Sequence, residues 1–329
     1  MITSVSTKEN KLEQFRLAKY AMGTRWEMVL NGKDAAYLQG VGEAAFEELE
    51  RLERQLSFYR EESDISQINR HAYTKPVVLE PRLFALFKRA IKLHEETEGA
   101  FDITMAPLLR CWGFIEGTGE MPSEEALSIA RAKVGMEFLL LDADRSTARF
   151  LKPDMEIDLG AIGKGYALDR MTEHLQDMGV TSALIHGGTS SVSAMGSSGT
   201  DGRKGWEIAI AHPTEEGKFL ASCTLLDNTL SVSSPRHKSF QHGGLRYGHV
   251  INPSTGEPAT GNFLAAIVGE SATEGDALST ALLVTGKSFL TTLDRREGVS
   301  GSLFLSEEAQ KFTLIMGDHS SGVFSDLTV

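Results

Sequence analysis

IDLGAIGKGYALDRM, residues 157–171, sets an acidic residue at the end of a strand, then a glycine-rich turn, then the start of a helix. Glycine lets backbone approach a ligand closely, and a helix start presents free N–H groups with a partial positive charge. Together these make a cradle for phosphate. The stretch matches neither a complete Walker A motif nor GxGxxG, and a plain structural turn would use the same glycines. It also marks a change of period. Upstream, Tyr37 to Tyr59 carries Leu38, Val41, Ala45, Leu49, Leu52 and Leu56 at spacings of three and four, the apolar face of a long helix. Pro81 to Thr97 reads as a second helix opened by proline, with Gly99 just past its end, and Ser123 to Lys133 as a short third. SFYREESDISQIN between them reads as a polar turn, and AFDITMAPLLRCWGF as loop with apolar anchors.

From residue 138 onward, FLLL, ARFL, ALIH, WEIAIAH, SCTLL, TLSVSS, FLAAIV, SLFL and FTLIM read as strands between Gly, Asp and Asn turns. Helices interrupt them at Gly163 to Met178, stopped by Gly179, at Glu274 to Val284 and at Lys287 to Arg295. Early helices and later strands give an α+β class rather than a regular βαβ array. Residues 1–18 read as a polar arm, and Lys19 to Leu30 as containing a strand, with AMGT at its turn. Residues 19–329 read as one domain, with an internal division admitted near residue 135.

The 329 residues carry a formal net charge of -12. Non-specific nucleic-acid binding needs a basic face, and this balance argues against one. An anionic ligand would need a local device, such as a metal or a helix N-terminus. Cys111 and Cys223 form no close-spaced metal motif and read as reduced thiols. No apolar run is long enough to span a bilayer, and the first twenty residues lack the apolar stretch of a signal peptide, which sets a cytoplasmic location as the expectation.

Three further segments carry chemistry. In TEGDALSTALLVTG, residues 273–286, Asp276 and Thr280 stand at i and i+4 and share a helix face. A carboxylate, a hydroxyl and a nearby carbonyl suit Mg²⁺, which takes hard oxygen ligands. Asp276 reads equally as a cap, and Thr280 as a hydroxyl bonded back along its own helix. In RYGHVINPSTG, residues 246–256, His249 can exchange a proton near neutral pH, or simply be structural. In HGGTSSVSAMGSSG, residues 186–199, Gly187 and Gly188 permit close backbone approach. His186, His237, Ser190 and Ser191 are weaker candidates, and neither serine sits in a nucleophile elbow.

These segments, in this order, resemble the ApbE family of FAD:protein FMN transferases. The resemblance runs from about Ala21 to Gly286 through AMGT, RQLSFYREESDISQIN, GAFDITMAPLLRCWGF, IDLGAIGKGYALDRM, LIHGGTSS, YGHVINPSTGEP and GDALSTALLVTG. It implies mixed sheets flanked by helices, with FAD in a cleft between two intimately packed parts. It implies flavin contacts from Met22, Tyr59, Ala100, Phe101 and Asp102, and dinucleotide contacts from Asp158, Lys164 and Gly188. It implies a Mg²⁺ site made by Asp276, Thr280 and the Ala161 carbonyl, with Ser279 beside it. His249 matches the histidine that assists the acceptor hydroxyl. The implied reaction moves FMN from FAD to a Thr or Ser hydroxyl of an acceptor flavoprotein and releases AMP. Two alternatives share the site: a hydrolase that splits FAD to FMN and AMP, and an FAD-binding protein without catalysis. The chain departs from the family pattern at Thr189, where many relatives carry aspartate. It departs again at SPRHKSF, residues 234–240, in place of an acidic-aromatic pattern, and in lacking the export signal of most relatives.

Overall fold

The computed structural model describes residues 13–115, 117–199, 204–235, 238–308 and 311–328. Residues 1–12 of the arm, and His237, lie outside the described residues. The described chain opens on a hairpin. β1 (Glu13–Ala21) and β2 (Thr24–Gly32) pair antiparallel as far as Ala21↔Thr24, so Met22 and Gly23 alone turn the chain. Both have positive φ, 49° and 72°, the backbone of a two-residue turn whose twist matches its strands. β1 thus takes in residues 13–18, which the sequence reading placed in the polar arm. Phe15 and Leu17 pack on the core at alternate positions, and that period of two outweighs the polar residues between them.

α1 (Ala35–Leu56) is capped by Asp34, whose carboxylate accepts the Tyr37 N–H, and it buries the expected row from Leu38 to Leu56. It ends before Tyr59 because Ser57 takes an extended conformation. The expected polar turn contains a second helix, α2 (Asp64–His71). Ser63 Oγ accepts the Ser66 N–H at 3.0 Å, and Ile65 and Ile68 bury one side. β3 (Val77–Val78) and α3 (Pro81–Glu96) follow. α4 (Ala106–Cys111) folds where a loop was expected, with Pro107 in its first turn and Leu108 buried. α5 (Glu124–Arg131) is capped by Ser123, which accepts the Ala126 N–H. β4 (Leu139–Asp142) and β5 (Thr147–Phe150) join β3 in a small sheet.

The remaining elements are α6 (Gly163–Asp177), β6 (Ala183–Gly187), β7 (Ser191–Met195), β8 (Trp206–Ala211), β9 (Phe219–Leu225), β10 (Asn228–Ser233), β11 (Ser239–His242), β12 (Leu245–Gly248), β13 (Asn262–Gly269), α7 (Ala272–Thr285), α8 (Leu290–Asp294), β14 (Val299–Glu308), β15 (Lys311–Met316) and β16 (Phe324–Ser325). The main sheet runs β1-β2-β6-β7-β10-β13-β14-β15, and every pairing in it is antiparallel. Helices cover one face and the sheet β16-β9-β8 covers part of the other. β13 shows why: Ala265 and Ile267 join the helix-side core, while Leu264, Ala266 and Val268 join the sheet-side core. The helix-side core takes residues from both sides of residue 135. The architecture is α+β, as the order of elements implies. A third cluster, with Trp112, Phe114 and Ile251, packs beneath the separate β11–β12 hairpin. Both cysteines are free, and burial pushes the Cys223 thiol up to about 12.

α6 and α7 are locked to each other at their starts. A Cβ at Gly165 would collide with the Ala272 carbonyl, so glycine is needed for this approach. Each helix supplies a carboxylate to the other's first turn. Asp169 of α6 accepts the Ala272 N–H at 2.8 Å and the Thr273 N–H at 2.9 Å, and also the Ser271 and Thr273 hydroxyls. Asp276 of α7 accepts the Gly165 N–H at 2.6 Å. The arrangement sets the glycine-rich turn and the Asp276–Thr280 helix side by side.

Candidate functional site

A cavity of about 890 Å³ opens where these elements meet. One end is walled by the β1–β2 turn, by Phe58, Tyr59 and Arg60 beyond α1, and by Ala100, Phe101 and Asp102. The middle is walled by residues 158–161 with Gly163 and Lys164, and by Gly187 to Ser190. The far side holds Ser233, Ser234, Lys238, His249 and Thr280. Of the site residues expected from sequence, all but Asp276 line this space.

At the first end, Met22 is held at a positive φ that favours glycine or asparagine, and its N–H donates to Glu53 Oε1 at 3.0 Å. Strain of this kind marks a position fixed by its surroundings. Tyr59 is 60% exposed, with its ring edge-on to Phe58 at 5.5 Å. Asp102 is buried, and its Oδ1 accepts the Thr104 N–H and hydroxyl, both at 2.6 Å. Burial raises its carboxyl, while Thr104 and His94 pull it back.

In the middle, Ile162 at the start of α6 offers no capping side chain of its own. Gly165 lies in the first turn, whose N–H groups have no partner within the helix, and Asp276 accepts its N–H. Ala161, just before the helix, lines the cavity. Asp158 Oδ1 accepts the Gly160 N–H at 2.9 Å. Burial raises the Asp158 carboxyl, and the Gly160 bond, Lys238 and Lys164 oppose it. Gly188 has φ 64°, and a Cβ there would lie 2.5 Å from Thr24 Oγ1, so the close approach requires glycine.

Asp276 sits one layer behind, 7% exposed. Its Oδ1 accepts the Ser191 hydroxyl at 2.8 Å, and burial raises its carboxyl against the pull of Lys164 and these bonds. Thr280 Oγ1 donates to the Asp276 carbonyl at 3.0 Å and lies 3.3 Å from Ser233 Oγ. Ser279 bonds Ser233 at 2.8 Å from a buried position. The capping and back-bonding readings of Asp276 and Thr280 are thus both present. Neither uses up the lone pairs of these oxygens. With the Ala161 carbonyl, the donor set is hard oxygen throughout and fits a cation such as Mg²⁺. Among the described residues no three His, Cys, Asp or Glu side chains cluster to hold a metal; this set contains a single carboxylate.

At the far side, His249 Nδ1 lies 3.2 Å from the Lys238 carbonyl. A carbonyl only accepts, so Nδ1 carries the proton and Nε2 the lone pair. The weaker candidates separate. Ser190 lines the cavity, Ser191 is committed to Asp276, and His186 stays outside, its Nδ1 3.0 Å from the Gly188 carbonyl. The sequence reading missed Phe58, Arg60 and Lys238 as lining residues. Lys238 had one visible signal, its place in SPRHKSF.

The ApbE family model matches residues 22–302. The FAD:protein FMN transferase of Vibrio cholerae serotype O1 is 28% identical over 292 residues, covering 85% of this chain and 84% of the relative. The ApbE protein of Thermotoga maritima superposes with a TM-score of 0.84 at 28% identity, over 94% of this chain and 98% of that one. The flavinyl transferase ApbE of Pseudomonas stutzeri superposes at 0.83 and 27% identity, over 98% and 100%.

Proposed function

This chain belongs to the ApbE family, and from that premise we propose that it transfers FMN from FAD to a hydroxyl of an acceptor protein, releasing AMP. The observation that carries the reading is the convergence of the separate motifs on one cavity. An apolar and aromatic end suits an isoalloxazine ring. A glycine-rich helix start with Lys164 suits the pyrophosphate. A histidine with its lone pair on Nε2 suits a proton acceptor.

The residues act as follows. Met22, Tyr59, Ala100, Phe101 and Asp102 hold and orient the flavin end. Gly188, Asp158 and Lys164 hold the dinucleotide, with the Lys164 ammonium against phosphate charge. His249 Nε2 takes the proton of an acceptor Thr or Ser as its oxygen attacks the FMN phosphorus. An O–P bond forms, and the P–O bond to AMP breaks with its electron pair on AMP. Asp276, Thr280 and the Ala161 carbonyl are the residues that would hold Mg²⁺. When bound, the ion supplies charge neutralisation at the pyrophosphate and its leaving group.

The test is incubation of the protein with FAD, Mg²⁺ and an acceptor domain, beside an EDTA control. Intact mass of the acceptor and AMP release are read together. An FMN adduct with matching AMP, lost in EDTA, is expected. AMP without adduct, with acceptor present, would point to water as the acceptor. FAD binding with neither product would leave a binding protein.

A further inference from the structure

Lys238 lines the cavity together with His249. It stands just before β11, and its carbonyl accepts both the His249 N–H at 3.0 Å and the His249 Nδ1–H at 3.2 Å. Lys238 and His249 therefore close the base of the β11–β12 hairpin, one step beyond the pair Ser239↔Gly248. The hairpin itself is anchored away from the cavity. Phe240 stacks on Tyr247 at 5.3 Å, and Tyr247 stacks on Trp112 at 5.7 Å. The backbone of Lys238 is thus fixed without help from its side chain.

That side chain lines the same cavity as Asp158 and Lys164. Among the described residues no ion pair or hydrogen bond engages its ammonium. Asp158 is the carboxylate that feels its charge, yet Asp158 is bonded to the Gly160 N–H. A free cation in a cavity wall of a protein with net charge -12 is a local device for an anion. Its attachment to His249 places that device beside the group that receives the acceptor's proton.

Resting on the transfer reading, we propose that Lys238 binds the phosphate on the flavin half of the dinucleotide and so selects phosphorylated flavins, while its carbonyl sets the tautomer of His249. One residue then couples the base to the phosphorus that is attacked. The side chain and the carbonyl can be separated by mutation, because a substitution removes only the ammonium.

The experiment measures binding of riboflavin, FMN and FAD to the full chain, the Lys238→Met variant and the Lys238→Arg variant, with FMN transfer assayed in parallel. Lys238→Met is expected to weaken FMN and FAD by about ten- to a hundred-fold, the scale of one charge-assisted contact. Riboflavin, lacking phosphate, should change less than about two-fold, and Lys238→Arg should recover most of the loss. Equal weakening of riboflavin would make Lys238 a prop of the hairpin, and unchanged FAD affinity and turnover would make it a solvated wall residue. Either result overturns the assignment. Failure of the unmutated protein to bind FAD would overturn the transfer reading itself, and that shows before any variant is compared.

Discussion

The Lys238 carbonyl holds His249 at its N–H and its Nδ1, and that contact bears on its chemistry. With Nδ1 donating to Lys238, the ring presents Nε2 as a base without the delay of a tautomer change. His249→Ala should lower FMN transfer by about a hundred-fold or more with FAD affinity within about two-fold. Equal losses in binding and turnover would reduce the ring to a binding contact. Met22 invites the opposite kind of test. Its φ of 49° costs a methionine what it would not cost a glycine. Met22→Gly should therefore leave stability unchanged or raise it by about 1 kcal/mol, while FAD affinity falls as the thioether leaves the cavity. A stable variant with unaltered FAD affinity would remove Met22 from the site. Neither Met22 nor Tyr59 announces itself in the sequence by chemistry. Positive φ and exposure within a cavity are properties of the folded chain, so only resemblance pointed to these two. The glycine-rich turn and helix start were readable directly, as a phosphate cradle or a plain turn within fifteen residues, while the contacts of Asp158 and Lys164 came from the resemblance.

α6 and α7 exchange carboxylates, and the exchange separates structure from chemistry. Asp169→Ala leaves the Ala272 and Thr273 N–H groups of α7 without their acceptor while Ser271 still caps the helix, and should cost about 2 kcal/mol, with turnover per folded molecule retained. Asp276→Ala should cost a similar amount, because it leaves the Gly165 N–H and the Ser191 hydroxyl without their acceptor, and should also abolish Mg²⁺-dependent turnover. Denaturant unfolding and AMP release on the two variants check this. Undiminished metal-dependent turnover in Asp276→Ala would end the ligand assignment. A second lock joins α3 to α7. Arg89 bonds Glu96 and Glu274, and Arg296 bonds the same two carboxylates, Glu96 at 2.7 Å and Glu274 at 2.8 Å. Burial would raise the Glu96 carboxyl, but the bonds from Arg89 and Arg296 outweigh it and hold it below the usual glutamate range. A carboxyl held lower in the folded state adds stability above its unfolded value, and that stability is lost as pH falls through its folded value. Glu96→Gln should therefore lower the melting temperature at neutral pH and narrow the gap to the parent below pH 4.5. A gap independent of pH would deny the network any charge contribution. The helices were legible where an apolar row was long, as in α1. They were missed in α2 and α4, eight and six residues long, although α5, also eight residues, was read from the sequence; α2 lies in a stretch rich in polar residues and α4 in one broken by Pro107.

The cavity is a property of the whole molecule, since its walls come from residues spread between 22 and 280. Sequence order carried the class, because early helices and late strands survive any arrangement. It did not carry the strand order of the main sheet, in which β2 pairs with β6 and β10 stands between β7 and β13, because such neighbours are set by long-range packing. It likewise could not show that the hairpin β11–β12 stands apart on its own aromatic cluster and swings His249 over the cavity wall. A ligand in such a cavity touches several elements of the folded chain at once, so it should bind the folded state alone and stabilise all of it. Saturating the protein with FAD at about a hundred times its Kd adds roughly 2.7 kcal/mol, which for a chain of this length is a rise of about 3–5 °C in melting temperature. His249→Ala should show the same rise, since its loss is placed in the proton transfer, whereas Met22→Gly should show a smaller one. Hydrogen exchange should slow together in residues 57–60, 158–164 and 238–249, the three stretches that reach the cavity from separate elements. Protection confined to one stretch, or no thermal shift at all, would mean that FAD does not occupy the space between them.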